Sequence, residues 1–268
     1  MGLCEFETKQ YDQSFQHLKR AHTLVPQGSG GRLLDVADYH LGLVLTRQGA
    51  FELSQEILVR VAEHVKESTE MMFGCGLASL RMPIPPADVP ADQREVVFLA
   101  GKTFWDLATH PPADAEADFA TLLAKYPNFP NVHYFYGTYL AVHRPDEAPA
   151  EFLKELKITP DSVPARVQLA LRYLLDEKLD DALKLSREAV KLSPDSPGTQ
   201  LTLGRVLRAK GDHQGALEAF LAAKRLDPVS PEIRLYLVTE YRALGQKDEM
   251  RREQAEHDEL KATQKNWP

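Results

Sequence analysis

Cysteine is scarce in this chain. Cys4 and Cys75 are the only two in 268 residues, they form no CxxC, and no histidine stands at metal-ligand spacing from them, which argues against a disulfide framework and a zinc site. Both read as small buried hydrophobes. Long apolar runs are missing too: none approaches the roughly 18 residues needed to cross a bilayer, so no membrane span is expected. Positive charge is in deficit, and a formal net charge of −7 disfavours general attraction to nucleic acid or anionic lipid. The opening "MGLCEFETKQYDQ" carries Glu5 and Glu7 and no apolar leader core.

Signatures of chemistry are equally thin. No HExxH, GxSxG or HxE…PCxxC arrangement occurs, and His17, His22, His40, His64, His110, His133, His143, His213 and His257 are scattered. Acidic runs such as "DEKLDD" fall near helix starts, where they complement the helix dipole. The glycine-rich "QGSGGR", Gln27 to Arg32, lacks the GxxxxGK[ST] frame and reads as an inter-element loop. His133, within "NVHYFYG", reads either as an interaction patch or as a packed histidine. With no nucleophile, base and orienter to bring together, catalysis, a metal and a cofactor are not expected.

What is present is a period. A chain 43% hydrophobic and 26% charged is ordinary globular material, and Pro160, Pro194 and Pro228 punctuate it every 34 residues. Reading back from Pro228 gives Leu203, Gly204, Leu207, Gly211, Ala216, Phe220 and Ala223; from Pro194 it gives Leu169, Ala170, Tyr173, Ala182, Ser186 and Ala189. Residues three and four apart share one helical face, so each unit carries two facing stripes. Small residues at 204 and 216 let two backbones approach, Phe220 fills the remaining space toward the next unit, Gly211 permits a left-handed turn, and proline ends the second helix.

This pattern resembles the tetratricopeptide repeat, W-x2-L-G-x2-Y, then A-x3-F, then P. The resemblance implies an all-α fold: a right-handed superhelical array of antiparallel helix pairs, an α-solenoid. On that reading residues 1–34 are an incomplete first repeat plus linker, with Gly2 at the glycine position and Ser14, Leu18, Ala21 and Pro26 on its second helix. Residues 35–82 are a repeat and an extra helix, "TEMMFGCGLASLR", which lacks a partner, and 83–91 are a proline-rich insertion, either a spacer or a binding element. Residues 92–128 form a degenerate repeat, 129–162, 163–196 and 197–230 are repeats, and 231–268 are a capping repeat whose second helix is almost wholly polar. The half repeat at the start points to a piece of a longer protein, and its apolar edge, Leu3, Phe6, Leu18 and Val25, offers a route to self-association.

In tetratricopeptide proteins one stripe of each first helix lines a concave groove, and the resemblance implies the same here. The stripe positions are Tyr39, Leu43 and Thr46; Tyr134, Thr138 and Ala141; Val167, Leu171 and Leu174; Leu201, Arg205 and Arg208; and Leu235, Thr239 and Arg242. That groove is apolar in its middle and basic toward its end, where the arginines either meet a carboxylate of a ligand or form a solvated, ion-paired face. The expected function is a non-enzymatic scaffold for a protein or peptide partner, with an acidic segment or a C-terminal carboxylate as its ligand. Alternatives are the repeat region of a larger enzyme or secretion protein that positions a substrate, and a self-associating module. Cysteine usage fits cytosol and bacterial periplasm alike.

Overall fold

The computed structural model describes residues 1–24 and 31–263. Val25, Pro26, Gln27–Gly30 and the terminal "KNWP" lie outside the described residues. Among these residues the protein is all α-helical, and it divides between Tyr136 and Gly137 into two compact units. The first holds α1 (Gly2–Glu7), α2 (Tyr11–Leu24), α3 (Gly31–Arg47), α4 (Phe51–Ala62), α5 (Thr69–Ser79), α6 (Arg94–Thr109), α7 (Pro112–Lys125) and the start of α8 (Val132–His143). The second holds the rest of α8, then α9 (Ala148–Ile158), α10 (Val163–Leu175), α11 (Leu179–Leu192), α12 (Pro197–Ala209), α13 (His213–Leu226), α14 (Pro231–Ala243) and α15 (Lys247–Thr263).

In the second unit the local rules of the sequence account for the architecture. Helix α11 buries Ala182, Ser186 and Ala189 on one face, places Asp180 and Asp181 in its first turn and Lys191 in its last, and so matches both its neighbours and its own dipole. First helices begin at serine: Ser162 Oγ accepts from the backbone N–H of Ala165, and Ser230 Oγ from that of Ile233, with Pro164 and Pro231 in the opening turns. Gly211, at φ +80°, ends α12 in the left-handed region. One repeat earlier, 34 residues before, Glu177 holds the same conformation at φ +58° with a full side chain.

The small-large-small stripe packs as its spacing demands. Phe220 is fully buried, and a methyl group on residue 204 would lie 2.4 Å from its ring. The ring also stacks on Tyr236 of the following helix pair, with ring centroids 4.9 Å apart at 16°. Phe152 sits on Gly137 in the same way, at 2.6 Å.

Helix α15 departs from the expectation of a simply solvated cap. It is polar throughout, yet Glu253 and His257 are buried. Arg234 of α14 lies 2.9 Å from Glu253 and also pairs with Glu256, while Lys224 of α13 pairs with Glu253 from the other side. A lattice of charges, rather than an apolar stripe, docks this helix.

In the first unit the partial repeat at the start is a real helix pair. Gly2 lies against Leu18, and Ser14 Oγ donates to the Gly2 carbonyl at 2.8 Å. The same bond recurs twelve residues apart in the next pair, from Ser54 Oγ to the Gly42 carbonyl at 2.8 Å. Leu18 is therefore buried, and Phe6 packs edge-on against Tyr11 and His40. Of the apolar edge expected at Leu3, Phe6 and Leu18, Leu18 is covered by α1 and Phe6 lies half-buried against α2 and α3, while Leu3 is half-buried.

The greater departure is α5. Every residue from Met71 to Leu80 is buried, which explains why its apolar residues follow no single face. The sequence left this helix unpaired; its partner is α6, reached across the proline-rich segment, which is broken into two short 3-10 turns at Pro86–Asp88 and Ala91–Gln93. Gly76 and Gly101 make that pairing. A side chain on residue 76 would start 1.9 Å from the Val97 carbonyl oxygen, and one on residue 101 would start 1.7 Å from that of Met72. The proline-rich segment is itself anchored, with Val89 buried and Arg47 Nη1 donating to the Pro83 carbonyl at 2.8 Å.

Candidate functional site

In the first unit the face of α3 that the repeat pattern assigns to a groove is occupied. Tyr39 rests on Gly74 of α5 and donates its hydroxyl to the Glu70 carbonyl at 2.6 Å. Leu43 packs on the same glycine and is buried, and Thr46 bonds Ser54 at 2.7 Å. Tyr134 is also buried, beneath the guanidinium of Arg81 at 5.4 Å from its ring centre. These side chains are committed to packing because α5 and the Arg81 turn cover them. His133 is packed as well, with Nε2 2.9 Å from the Pro127 carbonyl.

In the second unit the stripe stays accessible. Val167, Leu171 and Leu174 on α10 and Leu201 on α12 are half-buried, and Leu235 on α14 is 53% exposed. Thr138 is half-buried and Ala141 exposed on α8, while Thr239 donates back to the Leu235 carbonyl at 2.6 Å. Such side chains lie partly out of water.

Arg205 and Arg208 stand one turn apart on α12, and both guanidinium groups lie over the ring of Tyr236, at 6.0 and 5.5 Å from its centre. Tyr236 is fixed in turn by its stack on Phe220, so a core residue orients a surface ring and the ring orients two cations. One turn further along α14 the Glu240 carboxylate is 1% exposed, with Oε2 2.7 Å from His213 Nδ1 and Oε1 3.8 Å from Arg208 Nε. A buried carboxylate is costly unless charge and hydrogen bonds compensate it, and these two groups do so. Arg205 and Arg242 have no carboxylate within ion-pair reach among the described residues.

Repeat position located the arginines; Tyr236 and Glu240 were missed. Their signal is present: they stand four apart on α14, on the side that meets α12.

A further titratable cluster lies between α6 and α7, where Lys102 Nζ is 2.6 Å from Asp106 and 2.8 Å from Asp118. Burial, aided by a hydrogen bond shared with Asp106, pushes the Asp118 carboxyl above its ordinary range. It ties two helices together and brings no nucleophile with it. No group of three or more His, Cys, Asp or Glu among the described residues could hold a metal ion, and no helix is long and apolar enough to cross a membrane.

Residues 167–231 match the model of the family described as tetratricopeptide repeat. A search of the curated proteins finds no match. Among solved structures the protein resembles a MamA RS-1 double mutant, at 19% identity over 64% of this chain and 97% of that one, with a TM-score of 0.57. It also resembles MamA from residue 41 to its end, from Desulfovibrio magneticus RS-1, at 20% identity over the same shares and a TM-score of 0.54. At these identities the likeness is one of fold. The Gly204–Phe220 packing, the 34-residue register and the family match on residues 167–231 converge: the chain contains a tetratricopeptide repeat domain.

Proposed function

We propose that the protein is a non-enzymatic scaffold that binds an extended segment of a protein or peptide along the first helices of its second unit. Leu171, Leu201 and Leu235 take apolar side chains of that segment, and Arg205, Arg208 and Arg242 take a carboxylate, from an acidic residue or from a chain end. The observation that supports this most is Arg205: a guanidinium 6.0 Å from the centre of the Tyr236 ring, without an acidic partner among the described residues, and beside half-exposed leucines. Such a cation has already lost part of its freedom, so a ligand carboxylate meets it at a reduced entropic cost.

A peptide array tests this directly. The wild-type protein and an Arg205→Glu/Arg208→Glu/Arg242→Glu variant are applied to peptides that carry internal acids, free carboxyl termini, or neither. The reading expects acid-bearing, leucine-containing peptides to bind the wild type at least about tenfold more tightly than the variant, the loss that charge-assisted hydrogen bonds of this kind produce. Binding that is blind to peptide charge, or equal in both proteins, would remove the basic stripe from the function. The circular dichroism of the two proteins must match for the comparison to count.

A further inference from the structure

Arg205 and Arg208 are chemically alike and share one aromatic ring, but they differ in what lies behind them. Behind Arg208 is Glu240, 1% exposed and 3.8 Å from its Nε, with His213 as the other neighbour of the same carboxylate. Behind Arg205 lies the ring of Tyr236, with no carboxylate within ion-pair reach among the described residues. Of Arg205, Arg208 and Glu240, the carboxylate stands against Arg208, and the positive charge left over resides at Arg205.

We infer that Glu240 is the specificity-determining residue of this stripe: by neutralising Arg208 it leaves one uncompensated cation on Tyr236 and suits the site to a singly charged carboxylate rather than a dianionic phosphate group. This rests on the proposed ligand-binding role of the stripe. A carboxylate matches the single uncompensated charge at Arg205. A phosphate monoester, with about two negative charges, leaves an excess charge facing a fixed, buried acid, which makes Glu240 a repulsive element against the wrong anion. Glu240 does not reach the ligand; it acts through Arg208. A merely structural role would lower the binding of all anions alike, whereas a charge-selecting role changes their ratio.

The test reads the Arg205 Nε–Hε resonance of the full chain by nuclear magnetic resonance, during titration with acetate and with hydrogen phosphate at pH 8 and constant ionic strength. In the wild type, acetate is expected to move this resonance at the lower concentration. In Glu240→Gln, which keeps the shape of the side chain, the phosphate-to-acetate preference is expected to rise about two- to threefold, the effect of one unit charge at about 7 Å, beyond Arg208, in a largely aqueous setting. A second variant, Arg208→Gln at an exposed position, leaves Glu240 with His213 alone and is expected to weaken acetate about fivefold and hydrogen phosphate by about the square of that factor.

Phosphate preferred by the wild type, or a ratio unchanged in Glu240→Gln, overturns the inference. Two leucine-bearing hexapeptides, one with an internal glutamate and an amidated end and one with no acid and a free end, then separate the sources of the carboxylate. If neither hexapeptide binds while the anion ratio shifts as expected, the scaffold reading fails and the role of Glu240 stands.

Discussion

The carbonyl oxygen of Met72 on α5 occupies the space in which a side chain on Gly101 of α6 would begin, 1.7 Å from the ideal position of that atom. Gly76 repeats the arrangement from the opposite helix, against the carbonyl of Val97. Two backbones therefore touch, and neither can retreat through a flexible side chain. Gly101→Ala is expected to destabilise the first unit by about 3 kcal/mol or more, beyond the usual range for overfilled cores. Urea unfolding followed by circular dichroism measures it; a loss under 1 kcal/mol would show that the helices can part at small cost.

Glu177 invites the opposite experiment. It holds φ +58° where the next repeat uses Gly211, a conformation that costs a residue with a side chain on the order of 1 kcal/mol. Glu177→Gly is expected to stabilise the second unit by up to about 0.5 kcal/mol, the relief of strain less the added freedom of the unfolded chain. A lower thermal midpoint for the variant would contradict this.

Cys4 and Cys75 should differ in reactivity and in their effect on alkaline stability. Cys4 is exposed, whereas Cys75 is buried on α5, and burial pushes its thiol far above the ordinary value of 9.0. Burial also raises the Tyr39 phenol well above its ordinary 10.0, with the Cys75 and Glu70 charges as lesser causes. A thiol reagent is expected to modify one cysteine in the native protein and both in urea. Because both folded-state values are raised, stability from these groups is intact below about pH 9 and is lost as pH rises further, when only the unfolded chain releases the protons. Urea midpoints at pH 8 and pH 10.5 measure the fall, and Cys75→Ala is expected to lessen it.

Arg234 and Glu253 form a coupled pair at the far end of the chain. Arg234→Met leaves the buried Glu253 carboxylate with Lys224 alone, so the expected cost is about 2 kcal/mol, below that of a fully orphaned buried charge. Adding Glu253→Leu is expected to restore most of it, because the remaining groups no longer need to be desolvated in pairs. Hydrogen exchange across α15 follows the docking of the helix in each variant; a double variant worse than the single would mean that the charges contribute more than the burial they require.

The parts of this fold that were legible are those governed by short offsets. Gly204 and Phe220 are sixteen residues apart, Gly2 and Ser14 twelve, and each pair can be recognised without knowing what lies elsewhere in the chain. The pairing of α5 with α6 was not legible, because Gly76 and Gly101 fall in no period and a proline-rich stretch intervenes. The candidate stripe shows the same limit. Repeat position tells which face of α3 carries Tyr39 and Leu43, but only the fold shows that α5 lies on it. Arg205 and Arg208 were found by position alone; Tyr236 and Glu240, which distinguish them from one another, enter only when α12 and α14 are seen side by side.

The central burial of α5 also sets how the first unit can come apart. In a chain of helix pairs each pair leans only on its neighbours, so the array can fray from an end, one pair at a time. Helix α5 packs against α3, α4 and α6 together, and its removal would open all three to water at once. The first unit should therefore resist stepwise unravelling and unfold in a single concerted event, which keeps the Cys75 thiol from reagents and the central helix from proteases until the whole unit gives way.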